Sequence, residues 1–205
     1  RISKYFRAAS KDGKYHGVRN GMTSIPKDAY VAAASGMNFA QNDNMQWMNA
    51  AEAYFLLAEA KLRLNLGSET VKTYYEAGVR TSFSSKGVSG VDAYLADNMS
   101  LPLDKYTDPT TSRTTDVTGY LSRLTIAWDD NANDEQKLER IMVQKWIALY
   151  PDGQEAWSEM RRTGYPGFVR ISSYAYTTEV ANNDLISRLK FPTTEYSDNS
   201  ANTQA

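Results

Sequence analysis

Residues 139–168 read ERIMVQKWIALYPDGQEAWSEMRRTGYPGF, two amphipathic stretches separated by a turn and closed by Arg161, Arg162, Gly164 and Pro166. The first stretch reaches back to Asn133, whose short polar side chain suits an N-cap. It predicts a helix running to Tyr150 with Leu138, Ile141, Met142, Trp146 and Leu149 facing inward. Pro151, Asp152 and Gly153 stop that helix. A shorter helix over 154–162 turns Ala156, Trp157 and Met160 inward, and its last turn holds both arginines, where the negative end of the helix dipole favours cations. The doublet could grip a carboxylate or phosphate through two parallel hydrogen bonds. Helix C-capping plus a buried ion pair explains it about as well.

Upstream, residues 45–66 predict a long helix with Trp47, Ala51, Tyr54, Leu57 and Ala58 on one apolar line and Met48, Phe55 and Leu62 beside it. Glu52, Glu59 and Arg63 form the remaining polar stripe, read as solvent-facing. Five alanines between positions 50 and 60 would let neighbouring helices come close. Gly67 is suited to the left-handed residue that ends the helix, and Ser68 to the cap of the next, which begins at Glu69. That second helix carries Val71, Tyr74, Tyr75, Gly78, Val79 and Phe83 at helical spacing, and the short link makes the pair antiparallel.

The other segments are less regular. Residues 1–40 mix aromatics with glycines and predict loops with short strands. Residues 84–118 predict a turn-rich surface excursion with a short helix over 91–99, and 120–128 fits a strand or a helical turn equally well. Near the end, Leu189 and Phe191 alternate with Arg188 and Lys190 as in a strand, and Pro192 closes it.

The 205 residues carry Lys+Arg 23 against Asp+Glu 24, a net charge of -1 that offers no field to steer the chain to nucleic acid or another polyanion. Cysteine is absent, which excludes disulfides, thiolate nucleophiles and cysteine-ligated metals. The single histidine, His16, sits in a glycine-flanked loop and leaves no triad or multi-histidine metal set to build. The acidic run from Asp129 to Glu135 resembles a calcium loop only superficially: counted as an EF-hand, it puts Asp134 at the glycine position and Arg140 at the bidentate glutamate. It reads better as an acidic helix start. No catalytic residue, cofactor or metal is expected. What stands out is Tyr 14, Trp 4 and Phe 6. Trp47, Trp146 and Trp157 are expected in the core, whereas Tyr106, Trp128, Tyr165, Tyr174 and Tyr176 fall in loops or at element ends, where a flat ring with a polar tip can stack on a sugar.

The QKWIALY to RRTGYPGF block, the AEAYFLLAEA helix, the YYEAGVRTSF helix and the closing RLKFPTTEY together resemble the SusD-like branch of the SusD/RagB family. The resemblance implies a mainly α fold of tetratricopeptide-like helical hairpins, packed together with long loops and a few short β-strands. It further implies that 1–205 is one SusD-like domain forming the C-terminal portion of a longer protein, since the family's lipidated N-terminal cysteine and earlier helices have no counterpart here. The tetratricopeptide consensus itself is not visible, nor is the branch's tryptophan-rich ending. By resemblance, the protein is a non-catalytic lipoprotein on the extracellular face of the outer membrane. It would bind an oligosaccharide or a peptide-derived nutrient and pass it to a SusC-like TonB-dependent receptor. Conserved blocks would then be scaffold, leaving Tyr106, Trp128, Tyr165, Tyr174 and Tyr176 as candidate ligand contacts. The competing reading is a helical protein–protein module without a small ligand, with a glycoside hydrolase behind it.

Overall fold

The structure, a computed structural model, describes residues 1–19, 26–44, 46–119, 121–167 and 188–203. The described elements begin with α1 (Ile2–Tyr5), β1 (Phe6–Arg7), α2 (Lys27–Val31) and β2 (Gly36–Met37), then the long helices α3 (Ala50–Leu64) and α4 (Val71–Ser85). There follow α5 (Val91–Leu95), β3 (Lys105–Thr107), β4 (Thr114–Asp116), α6 (Asp134–Leu149), α7 (Gly153–Thr163), α8 (Thr193–Asp198) and α9 (Ser200–Thr203). The fold is mainly helical with a few short strands, as expected.

The core is the α3–α4 hairpin with α6 packed against both helices and α7 on α6. Phe55, Tyr75, Val79, Leu138 and Ile141 meet there, fully buried, with Ala51, Ala58 and Ala148 allowing close approach. Phe55 lies close against Gly78, where an added methyl group would sit 2.7 Å from the Phe55 ring.

Helix α3 starts five residues later than the periodicity predicts, because Asn49 caps it: its Oδ1 accepts from the Ala51 amide at 2.9 Å, while its Nδ2 donates to the last turn of α6 at Ala148 O, 2.7 Å. Trp47 and Met48 therefore lie outside the helix and are 87% exposed, not in the core. The helix also ends sooner. Asn65 takes the left-handed conformation at φ 54°, and Thr70 rather than Ser68 caps α4 through the Thr73 amide at 3.0 Å. Gly67 still needs its positive φ, and it lies against the Tyr74 hydroxyl, which accepts from the Ser68 and Glu69 amides.

The polar stripe of α3 is not solvated. Glu59 is 6% exposed, and Arg162 of α7 grips it in a two-pronged bond, Nη1 to Oε1 at 2.7 Å and Nη2 to Oε2 at 2.6 Å. Arg162 also meets Glu159, and Lys145 of α6, with no exposed surface, lies 3.1 Å from Glu159 and 3.3 Å from Glu52. These last two contacts are ion pairs rather than aligned hydrogen bonds. The chain of charges ties α3, α6 and α7 together, and the rest of the predicted apolar line, Tyr54 and Leu57, is left exposed instead.

Helix α6 begins with the predicted Asn133 cap, completed by Gln136 as a capping box, and α7 ends at Gly164 with φ 79°. The surface excursion holds a short antiparallel hairpin, β3 with β4, in which Tyr106 faces Thr115. Residues 188–192 form no strand: the Arg188 guanidinium lies 4.5 Å over the Phe191 ring, and α8 starts directly after Pro192. Residues 121–128 are likewise irregular.

Candidate functional site

A sugar-binding surface needs an exposed flat ring and nearby amides or hydroxyls to bond ring oxygens. One cleft of about 1040 Å³ offers both. It runs between the loop that follows β2, the entry to α3 and the α6–α7 turn. Phe39 and Trp47 stand in its wall at 50% and 87% exposure. Asn38, Gln41, Asn44, Gln46 and Gln154 line the same cleft, an amide set with both donors and acceptors.

Local sequence explains why these groups face solvent. Asn49 ends the extended approach to α3, so Trp47 cannot fold inward onto a helix face. The Phe39 loop is held by the Ala40 amide donating to Asp43 Oδ2 at 2.7 Å and by Asn38 Nδ2 donating to Ser3 O at 3.1 Å. Lys86 Nζ donates to Gln46 Oε1 at 3.1 Å and lies 5.7 Å over the Tyr5 ring, which itself packs on Tyr150 at 4.8 Å. The lining thus joins the packed rings of Tyr5 and Tyr150 to the amide set.

The rings singled out from sequence do not converge on this cleft. Tyr106 is half-buried in the β3–β4 hairpin and donates to Gly17 O at 3.1 Å. Trp128 packs on the core, 5.2 Å from the Tyr75 ring, with its Nε1 donating to Asp130 at 2.9 Å. Tyr165 also packs on the core; burial first, then its bond to Glu135 Oε1 at 2.8 Å, push its hydroxyl up to about 12. Tyr174 and Tyr176 lie outside the described residues. Trp146 and Trp157, expected in the core, are half-buried, and Arg161 stacks over Trp157 at 4.5 Å.

Trp47, expected in the core, is exposed instead, and Phe39 carries no helix or strand period that would single it out. The signal that could have found Trp47 is Asn49, an N-cap residue in front of the alanine run.

Two carboxylates approach each other at the α3–α7 contact. Burial, followed by the Glu52 charge, raises the Glu155 carboxyl above its usual range. Among the described residues, no group of three or more His, Cys, Asp or Glu is placed to hold a metal ion, and no helix is long and apolar enough to cross a membrane.

The SusD-like family model, described as SusD and RagB outer membrane lipoprotein, matches residues 1–205. Among solved structures, a SusD homologue from Bacteroides thetaiotaomicron is 35% identical with a TM-score of 0.87, covering 100% of this chain and 43% of its own. One from Bacteroides uniformis is 37% identical with a TM-score of 0.86, covering 99% and 42%. A chitin-binding SusD homologue from Flavobacterium johnsoniae is 37% identical with a TM-score of 0.84, covering 98% and 41%. The chain thus spans less than half the length of these relatives. No curated protein matches it. With the family model matched over its whole length and the helical core shared with relatives at more than 30% identity, the chain belongs to the SusD-like family of SusD and RagB outer membrane lipoproteins.

Proposed function

We propose that the protein is a non-catalytic carbohydrate-binding protein of the outer membrane's extracellular face, which takes a neutral oligosaccharide in the Phe39–Trp47 cleft and hands it to a SusC-like TonB-dependent receptor. The observation that carries this reading is Trp47, 87% exposed in a cleft bordered by amides. Phe39 and Trp47 are exposed together in one cleft, and clustered exposed apolar side chains mark binding surfaces. Sugar rings present apolar C–H faces to such a platform and hydroxyls to the amides. Membership of a family containing a chitin-binding relative supports the same class of ligand. Trp47 and Phe39 are the proposed platforms. Tyr106, Trp128 and Tyr165, each with its polar tip engaged internally, would contribute as outlying contacts.

Calorimetric titration of the protein with chitin, starch and mannan oligosaccharides tests it. Saturable binding of at least one, without release of reducing ends, is the expected result; no binding to any, or cleavage of the ligand, refutes it. A protein-partner reading draws on one observation, the exposed Tyr54, Leu56, Leu57 and Leu64 of α3. It predicts instead capture of another protein with no affinity for glycans.

A further inference from the structure

Helix α6 carries two buried cations five residues apart, and they are treated differently. Lys145 has Glu52 and Glu159 within 3.3 Å and 3.1 Å. Arg140, 5% exposed, has no carboxylate partner among the described residues; its Nε donates to Thr125 O at 3.0 Å, and its Nη1 is shielded from water with no hydrogen-bond partner. A guanidinium keeps its charge at any physiological pH, so it cannot relieve burial by losing a proton. Buried charges are ordinarily paired, and an orphaned one points to a missing anion.

The space beside it suits such a ligand. Arg140 forms part of the wall of a cavity of about 440 Å³ whose other walls include Pro102, Leu124, Val143, Trp146 and Ile147. That size lies within the range of small-molecule sites. Among the described residues, no acidic side chain lines it. A second positive charge stands behind the wall, where the Arg1 guanidinium bonds Gln144 Oε1 and Tyr94 Oη. Gln144 is satisfied by those partners, and its Nε2 donates to Tyr94 at 2.9 Å, which leaves Arg140 as the unmet polar group of the wall.

We infer that this cavity is a binding site for a small ring-bearing carboxylate, whose acid group pairs with the Arg140 guanidinium while its ring lies among Trp146, Val143 and Ile147. Two sources have that chemistry, a uronic acid sugar and an aromatic acid. A charge-assisted hydrogen bond to the guanidinium supplies the orientation, and the apolar walls supply the contact area. Among the described residues, the cavity shares no lining residue with the Phe39–Trp47 cleft, and the inference does not rest on the reading of that cleft.

The test is titration of the protein with glucuronate and with benzoate, each beside its neutral counterpart, glucose and benzyl alcohol. Saturable binding of at least one acid, with its neutral counterpart at least tenfold weaker, is the expected result, and which acid binds identifies the source. Arg140→Met should weaken that binding at least tenfold and leave the Tm of the ligand-free protein unchanged or raised, since an orphaned charge is removed. Val143→Trp, which fills the cavity and keeps Arg140, should weaken it equally. Failure of both acids to bind, equal binding of acid and neutral forms, or full affinity in Val143→Trp overturns the inference. So does a fall in the Tm of Arg140→Met, which would make the arginine a structural strut to Thr125.

Discussion

Gly78 meets the Phe55 ring at a distance where no side chain fits, and this reverses a common expectation. In most helix interiors Gly→Ala stabilises by about 0.5–1 kcal/mol because it restricts the unfolded chain. Here the added methyl would sit 2.7 Å from a fully buried ring that has nowhere to move. Gly78→Ala should therefore destabilise by roughly 1–3 kcal/mol, the cost of overpacking, read as a lower urea midpoint at unchanged slope. A rise in midpoint would place the two helices further apart than described. Asp108 gives a pH-dependent counterpart. Burial opposes its ionisation, but bonds from the Tyr30 hydroxyl at 2.6 Å and from the Thr111 and Thr110 groups outweigh that and hold its carboxyl well below the usual range. Because the folded value is the lower one, its stabilisation is complete above the unfolded value near 4 and is lost as pH falls below it. Asp108→Asn should accordingly melt earlier than the parent at pH 7. The gap between their Tm values should narrow as pH is lowered from about 4 towards 2; a gap constant with pH would contradict this.

At the scale of elements, helices whose boundaries are written locally were legible. Asn133 with Gln136, Asp152, Gly164 and the proline and glycine stops act within a few residues of themselves, and α6 and α7 fall where these signals put them. Elements whose form depends on distant partners were not. The stripe through Glu59 looks solvated because its neighbours on the helix are charged, Lys61 and Arg63 among them, while the partner that covers it, Arg162, is 103 residues away. The β3–β4 hairpin depends on cross-strand pairing within a threonine-rich stretch that has no apolar alternation. The alternation at 188–191, conversely, has the period of a strand, but no neighbouring strand pairs with it among the described residues. Since the Glu59–Arg162 contact joins α3 to α7, Glu59→Gln should cost about 1.5–3 kcal/mol, the worth of a charge-assisted bond, in thermal or urea unfolding. An effect within a few tenths of a kcal/mol would mean that the bond is exchanged for water at no cost.

For the whole molecule, the helical core acts as a scaffold whose interior charges and caps aim a few groups outward. Asn49 is the clearest instance: one amide starts α3, holds the end of α6 and leaves Trp47 outside both. That arrangement was hard to read from sequence because Trp47 continues the apolar period of the helix it precedes. Its exposure follows from the cap and not from its own hydrophobicity. The cleft draws its walls from loops and helix ends far apart in the chain, from Lys4 to Gln154, so its amide set becomes visible only once the chain is folded. The most direct test of the account is a calorimetric comparison of the parent with Trp47→Ala against the best-binding neutral oligosaccharide. The account predicts at least a tenfold loss of affinity, the scale set by stacking of about 1–2 kcal/mol plus lost area, with Tm unchanged because the ring packs on nothing essential. Unchanged affinity in Trp47→Ala would contradict it.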